Sequence, residues 1–344
     1  MAYTTINKST DYFNTKLYTG NGSTNAITGV GFQPDWIWLK NRDTANSHQL
    51  YDAVRGTTKY LESDNNGAEY TSANGISAFG TDGFTINGNL TGANNSGDDF
   101  ASWNWKAGNS SGSTNNDGSV TSTVSANTTA GFSICKFNYP NSGNFTFGHG
   151  LGVAPKMFIL KGLGANTNWQ MYHGALGNTF NTQLNLTGAS NSGANWWGST
   201  SPTSTVCTVG SDLVETGNQG GIAYCFAEKT GYSKFGSYTG NGNADGIFIY
   251  TGFKPAFYII KKTDSSKNWF LHDNKRGGVY NPQSNYVNPN LNEAENSFTG
   301  IDILSNGLKL RTSGTGHNQN GASYIFMAFG QSLVGSNNVP CTAR

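Results

Sequence analysis

Two adjacent carboxylates, Asp98 and Asp99, are the residues of this chain best placed for acid–base chemistry. Glycoside hydrolysis needs two carboxyl groups facing each other across the bond that breaks. Asp52, Glu62, Glu69 and Asp82 are the other acidic candidates in the same stretch. The rest of a catalytic set is missing. No strand-to-helix nucleophile turn and no phosphate-cradling glycine loop is found, and the five histidines do not fall at metal-ligand spacing. The sequence therefore points to a non-enzymatic protein, with no catalytic residue, metal or cofactor. A glycan depolymerase is the minor alternative, resting on the two aspartates alone. Asp64 to Glu69 could hold Ca²⁺ weakly, but without the full loop spacing a turn is the simpler reading.

A second constellation recurs. Counting from Pro34, Pro155 and Pro255, a lysine falls six residues on (Lys40, Lys161, Lys261). An aromatic ring falls fourteen on (His48, Trp169, Trp269), and a polar residue eighteen on (Asp52, His173, Asp273). A glycine falls twenty-two on (Gly56, Gly177, Gly277), preceded by Arg55 and Arg276 but by Leu176 in the middle copy. Four offsets kept in three places define three tandem copies of a module of about 100 residues, a domain-sized period. Trp169, Trp269, Asp52 and Asp273 could form sugar platforms, a ring stacking on a pyranose with a carboxylate bonding its hydroxyls. They could equally cap the edge of each module as core. Lys40, Lys161 and Lys261 read as structural, reaching an acidic or carbonyl partner. The arginines suit a rim salt bridge or a subunit contact.

Other candidates do not repeat. Trp196 and Trp197 stand side by side in a polar loop, where one must point outward if the other points in. Tyr286 is alone in the long polar segment 281–290. Both segments could bind a partner or be plain loops.

These residues need elements to hold them. Period-two alternation of β-branched and aromatic residues marks strands opening each copy, at 16–22, 132–137 and 234–242. Each proline precedes an apolar run with large residues on both faces, so that strand should be central and covered on both sides. Short strands are expected around Tyr51, Tyr172 and His272, and Asp82-Gly83 and Asn306-Gly307 favour hairpins. Closing strands contain Trp103 and Trp105, Tyr224 and Phe226, and Phe326 and Phe329. Trp36, Trp38, Trp103 and Trp105 read as core. No helix-period segment appears. The fold expected is all-β, three tandem β-sandwich, jelly-roll-like modules. Their bounds are an N-terminal arm 1–13, modules at 14–107, 129–229 and 230–334, a flexible Gly/Ser/Asn linker at 108–128 and a tail at 335–344. Copies two and three nearly abut and should form a fixed pair, with copy one more loosely hung.

Composition limits the partners. Charged residues are 12% and the net charge is +1, so no strong field would steer the chain to nucleic acid or an anionic membrane. No run is apolar enough to span a bilayer, and residues 1–8 lack the pattern of a secretory signal. Cys135, Cys207, Cys225 and Cys341 sit singly and read as reduced, with a bridge between Cys207 and Cys225 as the lesser option.

The run Gly31-Phe32-Gln33-Pro34-Asp35-Trp36-Ile37-Trp38-Leu39-Lys40-Asn41-Arg42 closely resembles a repeat of tailed-bacteriophage virion proteins, often from marine phages. So do Tyr51 to Gly56, Phe79 to Thr85 and Trp103 to Gly108. The likeness spans nearly the whole chain and is weakest in copy two, where His173 and Leu176 depart from the Asp and Arg pattern. It implies a tail-fibre-type component that contacts a host surface receptor or glycan and other virion proteins. A homotrimer is implied by analogy, folded in the host cytoplasm before assembly into the virion. A head-decoration protein binding the capsid is the alternative.

Overall fold

The computed structural model describes residues 4–214, 219–278 and 280–332. Cys341, the tail 335–344, Asn218 and the first three residues of the arm lie outside the described residues. Each repeat builds a sandwich of two antiparallel sheets, the all-β module that the alternation predicts. In the main sheets the closing strand lies between the opening strand and the proline-led strand. For module one the order runs Phe13–Thr19, Asp99–Trp105, Trp36–Asn41, Gln49–Asp52, Lys59–Glu62 and Tyr70–Thr71. The same order recurs through Phe132–Asn138, Gly220–Phe226, Met157–Gly162 and Gln170–His173 in module two. In module three it runs Ser233–Thr239, Ser323–Ser332, Phe253–Lys262 and Trp269–Asp273. A second sheet covers one face of each, smaller than the main sheet in modules one and two and of four strands, like the main sheet, in module three.

The expected hairpins form, with their turns one residue earlier than the Asp-Gly and Asn-Gly dipeptides suggest. Gly80 pairs with Gly83 and Leu304 with Gly307, leaving Thr81-Asp82 and Ser305-Asn306 as the loops. The glycines serve a close approach. A Cβ on Gly83 would stand 1.9 Å from the Ile27 carbonyl oxygen, and one on Gly307 2.2 Å from that of Ile249.

The proline-led strands are central and buried on both faces, and the two faces go to different places. Ile37 and Leu39 point into the sandwich of module one, Phe158 and Leu160 into that of module two, Tyr258 and Ile260 into that of module three. Trp36 and Trp38, Met157 and Ile159, Phe257 and Ile259 point the other way, into one core shared by all three modules. Strand alternation thus divides each sheet between a private core and a common one. In the common core Trp36 packs on Trp105 of its own module at 4.5 Å and on Tyr224 of module two at 4.5 Å. Phe13 packs on Phe257 and Phe329 of module three.

Two expectations are corrected here. Module one is not loosely hung: its four core tryptophans are fully buried, and three of them touch aromatic rings of other modules. Segment 108–128 is not a free linker. Ser113–Asn115 and Ser122–Asn127 extend the sheet of module two, pairing in turn with the opening strand Phe132–Asn138. The small polar residues of Ser113–Asn115 suit an edge that faces water, which composition alone does not distinguish from a linker, while Ser122 and Ser125 of the inner strand are buried. The arm is also tied down, with Ile6 in the shared core and Ser9 Oγ donating to Gln331 Oε1 at 2.8 Å.

One core predicts one unfolding event. Trp36→Ala should cost about 3–5 kcal/mol and lower the melting of all three modules together. Hydrogen exchange read separately in each module checks this; amides of module three keeping full protection while module one opens would count against a common core.

Candidate functional site

The repeated residues meet at the seams between modules, and the contacts close in a ring. His48 of module one faces the Asn288 carbonyl of module three through Nε2 at 3.0 Å. The Trp169 indole N–H of module two donates to the Glu62 carbonyl of module one at 2.7 Å. That of Trp269 in module three donates to the Gln183 carbonyl of module two at 3.0 Å. His48 can stand in for tryptophan because its Nδ1 accepts the Trp38 indole N–H at 2.9 Å, leaving Nε2–H to donate as an indole does.

The lysines follow the same ring. Lys40 Nζ donates to the Asn46 and Asn292 carbonyls, Lys161 to those of Asn66 and Gly162, Lys261 to those of Lys267 and Thr187. In each set one acceptor lies on the neighbouring module. All three side chains are buried, as a lysine ending a covered strand must be, and these partners are carbonyls, with the Thr167 hydroxyl as a further acceptor for Lys161. Burial pushes Lys40 and Lys261 down to about 8.

At two seams a charged triad completes the joint. In module one, Arg55 pairs with Asp52 through Nε and with Glu69 through Nη1, while Nη2 donates to the Leu50 carbonyl. The Tyr224 hydroxyl of module two donates to Asp52 Oδ2 at 2.7 Å. Module three repeats this with Arg276, Asp273 and Glu295, at 2.6 Å and 2.7 Å, and Trp103 of module one donates its indole N–H to Asp273 Oδ2 at 2.9 Å. The Arg276 guanidinium also lies over the Trp103 ring, 5.1 Å from its centre. Glu295 reaches on to Arg42 of module one at 2.9 Å. Arg276 and the hydrogen bonds around it hold Asp273 below the usual carboxylate range against the effect of its burial.

The third seam lacks every part of that triad. His173, Leu176 and Ser190 stand where the other copies have Asp, Arg and Glu, and Met327 stands at the position of Tyr224 and Trp103. His173 Nδ1 accepts the Ala175 N–H and Nε2–H donates to the Phe326 carbonyl of module three, both at 3.2 Å. A neutral imidazole satisfies both bonds.

The structure thus places Trp169, Trp269, Asp52 and Asp273 inside the seams, fully buried, where they present no face to a ligand. The platform reading gives way to a structural one because each indole N–H and one oxygen of each carboxylate already has a partner in another module, and the other carboxylate oxygens accept from backbone N–H groups of their own module. Trp197 is also buried, its N–H bonded to the Phe180 carbonyl at 2.8 Å, and Trp196 is half-buried beside Gly193. Tyr286 is half-buried among Phe270, His272 and Phe298. These residues form no common site. Asp98 accepts from Asn41, Asn95 and Thr44, and those bonds hold it below its ordinary value. Asp99 accepts from Thr19. Cys135, Cys207 and Cys225 are free thiols in the core of module two. What sequence reasoning missed is Glu69 and Glu295, whose offsets from proline differ because module three carries five extra residues before Glu295.

Two predictions follow from the seams. Arg55→Leu leaves Asp52 buried and unpaired and should cost about 3–5 kcal/mol. The quadruple variant Asp52→His/Arg55→Leu/Glu69→Ser/Tyr224→Met copies the third seam and should cost clearly less in urea unfolding; an equal or greater loss would refute the equivalence of the seams. The second prediction concerns acid. All five histidines are held below their ordinary value by burial, His173 at about 4 and His317 at about 3. Between those values and the usual 6.5 the unfolded chain binds more protons than the folded one, so stability is complete above 6.5 and falls as pH drops. His173 alone accounts for about 3 kcal/mol by pH 4. Replacing it by Gln should move the acid-unfolding midpoint to lower pH, measured by tryptophan fluorescence.

No curated protein matches the chain. One family does match, over residues 8–332, which takes in all three modules and the segment between the first two. The chain therefore belongs to the family described as a domain of unknown function, DUF7483.

Proposed function

We propose that the protein is a non-enzymatic component of a tailed-phage virion, of the tail-fibre type, which contacts the host surface or its glycans through the outer sheets and clefts of its ring of modules. The observation that carries this reading is the inward use of its chemistry. The repeated Lys, Trp, Asp and Arg side chains are spent in joining modules, so contact with another molecule falls to the outside. The repeat motifs that resemble those of virion proteins are the same segments that build the shared core.

A catalytic role has little support. A general acid works with a raised carboxyl pKa, whereas Asp98 is held low by its hydrogen bonds. Purified protein should release no reducing sugar from host polysaccharide, and Asp98→Asn should leave that result unchanged.

Copy number per purified particle tests the location, by quantitative mass spectrometry against the major capsid protein. A few copies per hundred capsid subunits are expected. A ratio near one to one, or one to three, would make this a head-decoration protein and refute the attachment role. Absence from the particle would refute both.

A further inference from the structure

The seam between modules two and three is the one that lost its charged triad, and a cleft of about 650 Å³ opens there. Leu176 and Ser190, at the positions of the missing Arg and Glu, both line it. We propose that this cleft is a binding site for a neutral saccharide, a proposal that deepens the glycan-contact reading and rests on it.

The walls are fixed before any ligand arrives. Ser190 donates both its N–H and its hydroxyl to the Thr263 carbonyl, at 2.9 Å and 3.0 Å, and the Lys267 N–H donates to the Thr187 carbonyl at 2.9 Å. On the side of module three, Tyr238 and Tyr324 stack at 4.8 Å with an interplanar angle of 7° in that module's own core, behind the strands whose other face lines the cleft. Their hydroxyls donate to the His317 and Thr315 carbonyls, so both rings are held in place. A preformed site spares the ordering cost that weakens binding to a mobile one.

Its chemistry matches a sugar. Hydroxyls of Ser190, Ser237, Thr239 and Thr263 line it: those of Ser237 and Thr239 can donate or accept, as sugar hydroxyls do, while those of Ser190 and Thr263 give their protons to the Thr263 and Ser323 carbonyls and can accept. Leu176, Phe180 and Ile325 supply an apolar patch for the C–H face of a pyranose. Asp264 is its one carboxylate, and Lys262 Nζ stands 3.5 Å from Oδ1, so no net charge selects an anion. The volume falls in the usual range for small-ligand clefts. Ser237 and Thr239 continue the face of the opening strand that carries Phe235 into the shared core, so the cleft lies where that core face reaches water.

The test uses the full chain with methyl glucoside, methyl galactoside, methyl mannoside and N-acetylglucosamine as probes, read by saturation-transfer NMR. Ser237→Trp and Thr239→Trp fill the mouth from exposed strand positions where an aromatic residue is tolerated. At least one probe should bind, and each substitution should weaken it tenfold or more with no change in melting temperature. Binding that survives both substitutions overturns the cleft assignment, and so does the absence of binding by every probe. Adhesion of labelled wild-type chain to host cells is measured in parallel. Adhesion without cleft binding leaves the attachment reading standing and sinks the cleft; cleft binding without adhesion does the reverse.

Discussion

The architecture depends on a strand that is apolar on both faces. A sandwich can cover one face of its main sheet, and the outer sheets here do that. The other face of Trp36–Asn41, Met157–Gly162 and Phe253–Lys262 has nothing of its own module to bury against. Three such faces satisfy each other by meeting at the centre. Magnitudes show that packing governs there. The indole N–H groups of Trp36 and Trp105 are buried with no hydrogen-bond partner among the described residues. An unsatisfied N–H costs about 1–3 kcal/mol, while burying a tryptophan side chain of 150–250 Å² gives roughly 4–6 kcal/mol at 25 cal/mol/Å². The apolar term is the larger one.

Apolar faces alone do not say how three sheets should be turned relative to one another. Directional bonds at the rim of the core do. Each ring nitrogen at the aromatic position finds one carbonyl of the next module, and each lysine another. A sheet rotated or shifted by one residue would leave a buried ammonium and a buried N–H without acceptors, which is far more costly than an imperfect apolar contact. These polar groups therefore act on specificity more than on net stability, in the way argued for buried polar groups that fix register.

The secondary structure was legible because period-two alternation is a local signal, and the hairpins followed from turn chemistry to within one residue. The repeat offsets even identified the residues that matter most. Their purpose was not legible. Trp169 and Asp52 have the types expected of a sugar platform, and only the third dimension shows their polar atoms taken up by another module. Segment 108–128 misled for a related reason: Ser, Thr and Asn on the solvated edge strand Ser113–Asn115 look like Ser, Thr and Asn in a linker, because both face water, and the buried Ser122 and Ser125 of the next strand are of the same types. The two-faced proline strand was read as covered on both sides, but the cover on the second side is another module, at a sequence distance that no local pattern records.

Module two carries the remaining asymmetry. Asp, Arg and Glu are replaced together, and so is the donor on the facing module, where Met327 takes the place of Tyr224 and Trp103. Removing one member of a buried charged set is expensive, whereas removing the set and its donor is tolerated. The change therefore has to be concerted, and its visible product is space. Two seams are clamped by ion pairs, while the third is held by a neutral histidine, backbone bonds and apolar contact, and it is bordered by clefts of about 650 Å³ and 510 Å³. A ring of identical joints would have no preferred side. This one has, and the side is defined by what its sequence left out.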